Sequence, residues 1–296
     1  MEYKFTDYLL AKQSVDDRAL NKNVLMTLQV ALETMRLPSL SIIEAGGGIG
    51  TMLARLLRWE MLPSYTRYTL VDSMPENIEY AQVWLPQWAE SVGLQSKSRR
   101  PNELSLYDEQ REVYVRLICS DIFDFINSRP QRADLLIAHA FLDLLPLPEG
   151  LLDLLLLSHR LAWLTLNFDG VTIFEPILDP LLDEHIMRLY HRTMNERPGG
   201  GDSQSGRHLF SYLVETDATI LDAGASDWVV YPKNGQYRPT DAYFLHCILH
   251  FIEESLTGNR LLNPQTFKDW LTERRSQIER GELTYIAHQI DFLAVV

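Results

Sequence analysis

The feature that most constrains this chain is a run of glycines wedged between two different periodicities. Residues 40–45 read Leu-Ser-Ile-Ile-Glu-Ala, a short apolar run, and open directly onto Gly46, Gly47, Gly48 and Gly50. From Thr51 to Trp59 the spacing becomes helical, with Met52, Leu53, Leu56 and Leu57 on one face. Glycine tolerates positive φ and lets a ligand approach bare backbone, and the following helix offers unpaired amides at its start. A dinucleotide fingerprint needs a glycine three positions beyond its second one. Counting from Gly46 and Gly48, that position holds Thr51, so the spelling is Glu-x-Gly-x-Gly-x-Gly instead.

The rest of the chain repeats this alternation. Residues 68–72 read as a strand ending in Asp72, and a helix begins near Pro75. Residues 93–112 are polar and irregular, which predicts a long loop. Residues 113–119, 134–138 and 161–167 read as further strands, ending beside Asp121, His139 and Asn167. Strands alternating with crossover-length helices predict a doubly wound α/β fold, with helices on both faces of a mostly parallel seven-stranded sheet. An N-terminal helical arm occupies 1–36, where Ser14 is expected to cap a helix. The core covers 37–178. Helical cap insertions are expected at 179–217 and 241–281, around the glycine-rich loop 198–206. Residues 218–240 and 282–296 supply closing strands.

In such sheets, ligands lie beyond the carboxyl ends of the strands. The residues there are Glu44 to Gly50, Asp72 with Ser73 and Met74, Asp121 with Ile122, His139, and Asn167 to Asp169. Glu44, Gly46, Gly48, Gly50, Asp72 and Asp121, in this order, resemble the motifs of class I S-adenosylmethionine-dependent methyltransferases, over about residues 40–175. The resemblance implies S-adenosylmethionine as cofactor and S-adenosylhomocysteine as product. It implies that Asp72 accepts the ribose hydroxyls, that Ser73 and Met74 border the adenine, and that Asp121 and Ile122 meet the base. His139 falls where the family contacts the methionine moiety or the substrate, and Tyr8, Lys12 and Arg18 lie in a region that covers the donor. The family joins its last two strands by a short hairpin, and here helices fill that interval.

An imidazole at His139 could take a proton as a methyl group transfers, and it could equally just end its strand. Asp169 could orient a cationic or hydroxylated acceptor, or cap a turn made by Gly170. Asn167, Tyr190, His191 and Arg207 are candidate substrate contacts. The spacing of His, Cys and carboxylates suggests no metal site. Cys119 and Cys247 lie in apolar runs and are expected to be buried thiols.

A formal net charge of −13 disfavours a nucleic-acid partner, which demands basic surface. The one dense basic cluster, Lys97, Arg99 and Arg100, is expected on an exposed loop. No apolar run has the length of a membrane span, and the first residues lack a signal-type hydrophobic stretch. The expectation is a cytoplasmic enzyme that methylates a small molecule, with a homodimer open to it. Two alternatives use the same fold: aminopropyl transfer to a polyamine, and a non-catalytic donor-binding or scaffold subunit.

Overall fold

The computed structural model describes residues 3–296; residues 1 and 2 of the expected arm lie outside the described residues. The helical region before Pro38 is two helices, α1 (Phe5–Ala19) and α2 (Lys22–Met35). Ser14 sits inside α1 and caps nothing. The cap is Asn21, whose side chain accepts from the amides of Asn23 and Val24 to start α2.

The first α/β unit follows as β1 (Leu40–Ala45), α3 (Thr51–Arg58), β2 (Tyr65–Asp72) and α4 (Pro75–Ser91). The segment expected to be a loop is instead a hairpin, β3 (Gln95–Arg100) and β4 (Glu103–Tyr107), leading into β5 (Glu112–Cys119). Its polar outer strand sits at the sheet edge, where charged side chains block further pairing and mask the strand pattern. Lys97, Arg99 and Arg100 are exposed on that edge strand. Next come α5 (Ile122–Asn127), β6 (Ala133–His139), a 3-10 turn at Leu142–Leu144, α6 (Glu149–Leu155) and β7 (Ser158–Glu175). The chain ends with α7 (Pro180–Asn195), α8 (Ser205–Glu215), β8 (Thr219–Ala225), β9 (Trp228–Val230), α9 (Asp241–Leu256), α10 (Pro264–Glu279) and β10 (Thr284–Val295).

The sheet has ten strands, not seven, in the order β3-β4-β5-β2-β1-β6-β7-β10-β8, with β9 pairing β10. Its centre, β5-β2-β1-β6-β7, is parallel throughout. β10 runs antiparallel to β7, β8 and β9. The hairpin at one edge and the short β9 account for the difference. Apolar residues alternate across the sheet, so Ile42 and Leu70 enter one core while Ile43 and Val71 enter the other. Cys247 is buried in α9, whereas Cys119 ends its strand exposed, contrary to expectation.

β7 does not stop at Asn167. It continues to Glu175, and the register against β10 slips twice, once near Leu166 and once around Gly170. Leu166 (φ 54°) and Gly170 (φ 74°) bulge the strand rather than ending it. The first bulge is held by Asp291, a fully buried carboxylate on β10. It accepts from the Leu166 amide (2.7 Å) and from the Asn21 amide (2.8 Å), tying the sheet to the start of α2. Replacing Asp291 with Ala strands both amides, so unfolding should require about 2–4 kcal/mol less, read as a lower urea midpoint. An unchanged midpoint would show that the bulge needs no such tie.

Candidate functional site

One cavity of about 750 Å³ opens beyond the carboxyl ends of β1, β2, β5 and β6 and runs under α1 towards β7 and β10. At its glycine end the chain turns sharply after β1. Gly46 (φ 66°), Gly48 (φ 54°) and Gly50 (φ 88°) hold left-handed conformations. A Cβ added at Gly46 would stand 2.2 Å from the Phe141 ring, so that position admits no side chain. The Gly48 amide donates to Asp72 Oδ2 (2.8 Å), joining the first two strand ends. Asp72 Oδ1 accepts from the Met74 amide (2.9 Å) and from Asn77 Nδ2 (3.0 Å). Oδ2 therefore keeps a free lone pair at the cavity. Asn77 lines the same space, and its Oδ1 is buried without a partner. Asp121 caps α5 by accepting from the Phe123 amide (2.8 Å) and, with Ile122, borders the opening.

Beneath the turn lies Glu44, which accepts a hydrogen bond from the Tyr68 hydroxyl (2.6 Å). Burial pushes its carboxyl up to about 8, with the Tyr68 hydrogen bond and the Arg55 guanidinium offsetting only part of that. Glu44 is thus largely protonated at neutral pH.

The middle of the cavity is walled by a buried polar cluster centred on Asp16 of α1. Its Oδ2 accepts from Lys12 Nζ (2.7 Å), Arg55 Nη2 (3.2 Å) and His139 Nε2 (3.0 Å), and its Oδ1 accepts from Trp228 Nε1 (2.9 Å). Burial alone would raise the Asp16 carboxyl. The charges on Lys12 and Arg55 and the His139 contact outweigh it and hold the group well below the usual range. An ionised Asp16 only accepts, so His139 carries its proton on Nε2, and Nδ1 accepts from the Thr165 hydroxyl (2.8 Å). Burial, aided by the Lys12 charge, drops the His139 pKa to about 4. Both nitrogens are engaged and the ring is neutral, which favours the strand-ending reading of His139 over the general-base one.

Of the residues expected from sequence, Glu44, Gly46, Gly48, Asp72, Ser73, Met74, Asp121, Ile122, His139 and Tyr190 all line this cavity. Gly50 sits just behind it as the residue before α3. Four substrate and catalytic candidates fall elsewhere. Asn167 spends its Nδ2 on the carbonyls of Leu164 and Ile290. Asp169 is bound by Arg207 through Nε (2.8 Å), Nη2 (3.0 Å) and the main-chain amide (2.7 Å), which fixes the start of α8. His191 hydrogen-bonds Thr172 (3.0 Å) and faces a separate groove beside α7. The continuation of β7 carries Asn167 and Asp169 onto sheet positions beyond the expected strand end, while His191 lies on α7 and Arg207 at the start of α8. Arg18 pairs with Asp241 (3.0 Å) rather than facing the cavity.

Sequence reasoning placed Lys12 and Tyr8 near the donor but missed Asp16 as the partner of Lys12, and it missed Asn77, Trp228 and Gln289. Lys12 and Asp16 are four apart on one helix, the one local signal available. The others become neighbours only through the fold.

No protein-family model matches this chain, and none of the curated proteins searched matches it. Solved structures do overlap it. A SAM-dependent methyltransferase from Thiobacillus denitrificans in complex with S-adenosyl-L-homocysteine is 14% identical, covering 99% of each chain at a TM-score of 0.47. The cyclopropane synthase MmaA2 from Mycobacterium tuberculosis is 9% identical over 94% of this chain and 88% of that one, at 0.45. A SAM-dependent methyltransferase from Geobacter sulfurreducens, also with S-adenosyl-L-homocysteine, is 14% identical over 91% and 90%, at 0.40.

The raised Glu44 pKa has a thermodynamic consequence. A carboxyl near 4.5 unfolded and about 8 folded favours the fold fully below the lower value, and the contribution is lost as pH rises through the higher one. The melting temperature of the wild type should therefore fall, relative to Glu44→Gln, between about pH 4.5 and 8. Parallel pH profiles for the two proteins would refute a buried, protonated Glu44.

Proposed function

We propose that this chain binds S-adenosylmethionine at the glycine end of the cavity and transfers its methyl group to a small-molecule acceptor held at the far end. The observation that carries this reading is the coupling of bare glycine backbone to Asp72. Gly48 donates to one Asp72 oxygen and Asn77 Nδ2 to the other, and Asn77, with its Oδ1 unpartnered, lines the same cavity. A buried acceptor without a partner is costly, and a ligand offering two adjacent hydroxyls, such as a ribose, would satisfy Asp72 and the Asn77 Oδ1. Gly46 to Gly48 would hold the amino-acid portion against main chain. Met74 and Ile122 would flank the base, with Asp121 near its amino group.

The donor brings a methyl group already activated on a sulfonium, so alignment is the chief task left to the protein. In this reading His139 keeps its proton on Nε2 and holds Asp16, which fixes the wall between the two halves of the cavity. α1, with Leu9 above Gly48, roofs the donor end and excludes water. The segments 3–36, 179–217 and 241–281 act as the cover, over a core formed by 37–178 and closed by strands from 218–240 and 282–296. Among the described residues no helix is long and apolar enough to cross a membrane. Aminopropyl transfer gains no support, since the Asp169 carboxylate that would suit a polyamine is occupied by Arg207.

Titration calorimetry with S-adenosylhomocysteine tests the donor site. Removing a charge-assisted acceptor should weaken binding about tenfold or more, so Asp72→Ala should show that loss. Equal affinities for the two proteins would sink the assignment.

A further inference from the structure

Beyond the Asp16 cluster the cavity changes character. Its floor is the sheet surface of β7 and β10, presenting Phe168, Tyr285 and Gln289. Its roof carries Tyr8 from α1, Tyr190 from α7 and Phe251 from α9, and Trp228 closes one side. The rings are fixed by their neighbours: Tyr8 meets Phe251 edge-on at 4.9 Å, and Trp228 packs edge-on against Phe244 at 5.3 Å. Such walls favour a flat aromatic occupant.

Two polar features break this apolar lining. Gln289 is 2% exposed, and its Oε1 has no partner. Lys12 places a buried ammonium 5.3 Å from the Trp228 ring centroid, and its hydrogen bond goes to Asp16. That carboxylate is shared with Arg55, His139 and Trp228, so a single negative group serves two full positive charges. Arg55 has a second carboxylate, Asp17, at 2.5 Å. Lys12 has none. The groups facing Lys12 are Asp16 on its own helix, Arg55 of α3, the neutral His139 of β6, Trp228 of β9, and Asp143 after β6. Asp143 is itself pushed up by burial, which weakens it as a counter-charge. A desolvated, under-compensated ammonium at a cavity wall calls for an anionic oxygen.

Resting on the donor site assigned above, we propose that the far end takes an aromatic acceptor bearing an acidic hydroxyl, and that Lys12 holds that oxygen as the methyl-accepting atom. The ring lies among Tyr8, Trp228 and Phe251, and Gln289 accepts a hydrogen bond from a second hydroxyl or a ring N–H. Lys12 lies in the cluster that includes His139, at the junction with the donor half. The hydroxyl proton leaves to solvent, and the ammonium stabilises the phenolate. An electron pair of that oxygen forms the new O–C bond as the C–S bond of the donor breaks and its pair returns to sulfur. The products are an aryl methyl ether, S-adenosylhomocysteine and one proton.

The test uses para-nitrophenol and its methyl ether, para-nitroanisole, without donor. The wild type should raise the ratio of ionised to neutral nitrophenol about tenfold over that in water at the same pH, seen in its visible absorbance. It should bind the ether about tenfold more weakly. Lys12→Met should lose both effects, with Asp16 still held by three donors, while Lys12→Arg and Gln289→Leu should keep the ionisation. Failure of nitrophenol to bind, or ionisation that survives Lys12→Met, would overturn the proposal. Calorimetry with S-adenosylhomocysteine separates the two readings. Donor affinity should be unchanged in Lys12→Met and Lys12→Arg, and its loss in both would reassign Lys12 to the donor. A wild type that binds nitrophenol but not S-adenosylhomocysteine would defeat the donor site alone.

Discussion

The buried Asp16 carboxylate is the constraint on which the arrangement of this molecule depends. It sits on the first helix, yet its partners come from α3, β6 and β9 as well as from its own helix. An unpaired buried carboxylate would be costly enough to neutralise itself or force the helix away. With four donors it instead clamps α1 over the strand ends, so the N-terminal helix becomes a roof over the cavity. His139 is neutral because burial disfavours its charged form, and the Lys12 and Arg55 cations beside it add to that.

Much of the parallel core could be read from residue order alone. β1, β2, β5 and β6 announce themselves by apolar runs, and each ends in the residue expected at the cavity: Glu44 and Asp72 on their strands, Asp121 just past β5, and His139 closing β6. That succeeds because a strand buried on both faces must be apolar, and its end must turn polar where the sheet stops. The reading fails where a local signal has two physical outcomes. Gly170 suggests a chain reversal, but pairing with β10 absorbs its positive φ as a bulge, and Asn167 and Asp169 are carried away from the site. The polar run at 93–112 suggests a loop because an edge strand has no second neighbour demanding apolar residues. The far half of the cavity was only partly legible: Tyr8, Lys12 and Tyr190 stood out singly, but Lys12, Trp228 and Gln289 lie in three distant segments that only the fold unites.

The cavity joins two chemistries along one axis. Its glycine end offers main-chain amides, carboxylates and an orphaned amide oxygen, a set suited to a ribose and an amino-acid moiety. Its far end offers aromatic walls, an under-compensated ammonium and a second orphaned amide oxygen, suited to a ring that carries acidic oxygen. The helices inserted before β10 supply Phe251 to that lining, and α7 supplies Tyr190. Elaboration after the core thus falls on the aromatic end of the cavity and leaves the glycine end plain.

The most direct measurement of the central claim is a crystal structure of the chain grown with S-adenosylhomocysteine. The account predicts the ribose hydroxyls on Asp72 and Asn77, the base between Met74 and Ile122, and the amino-acid portion along Gly46 to Gly48. Ligand bound elsewhere, or that end of the cavity left empty at saturating ligand, would contradict it.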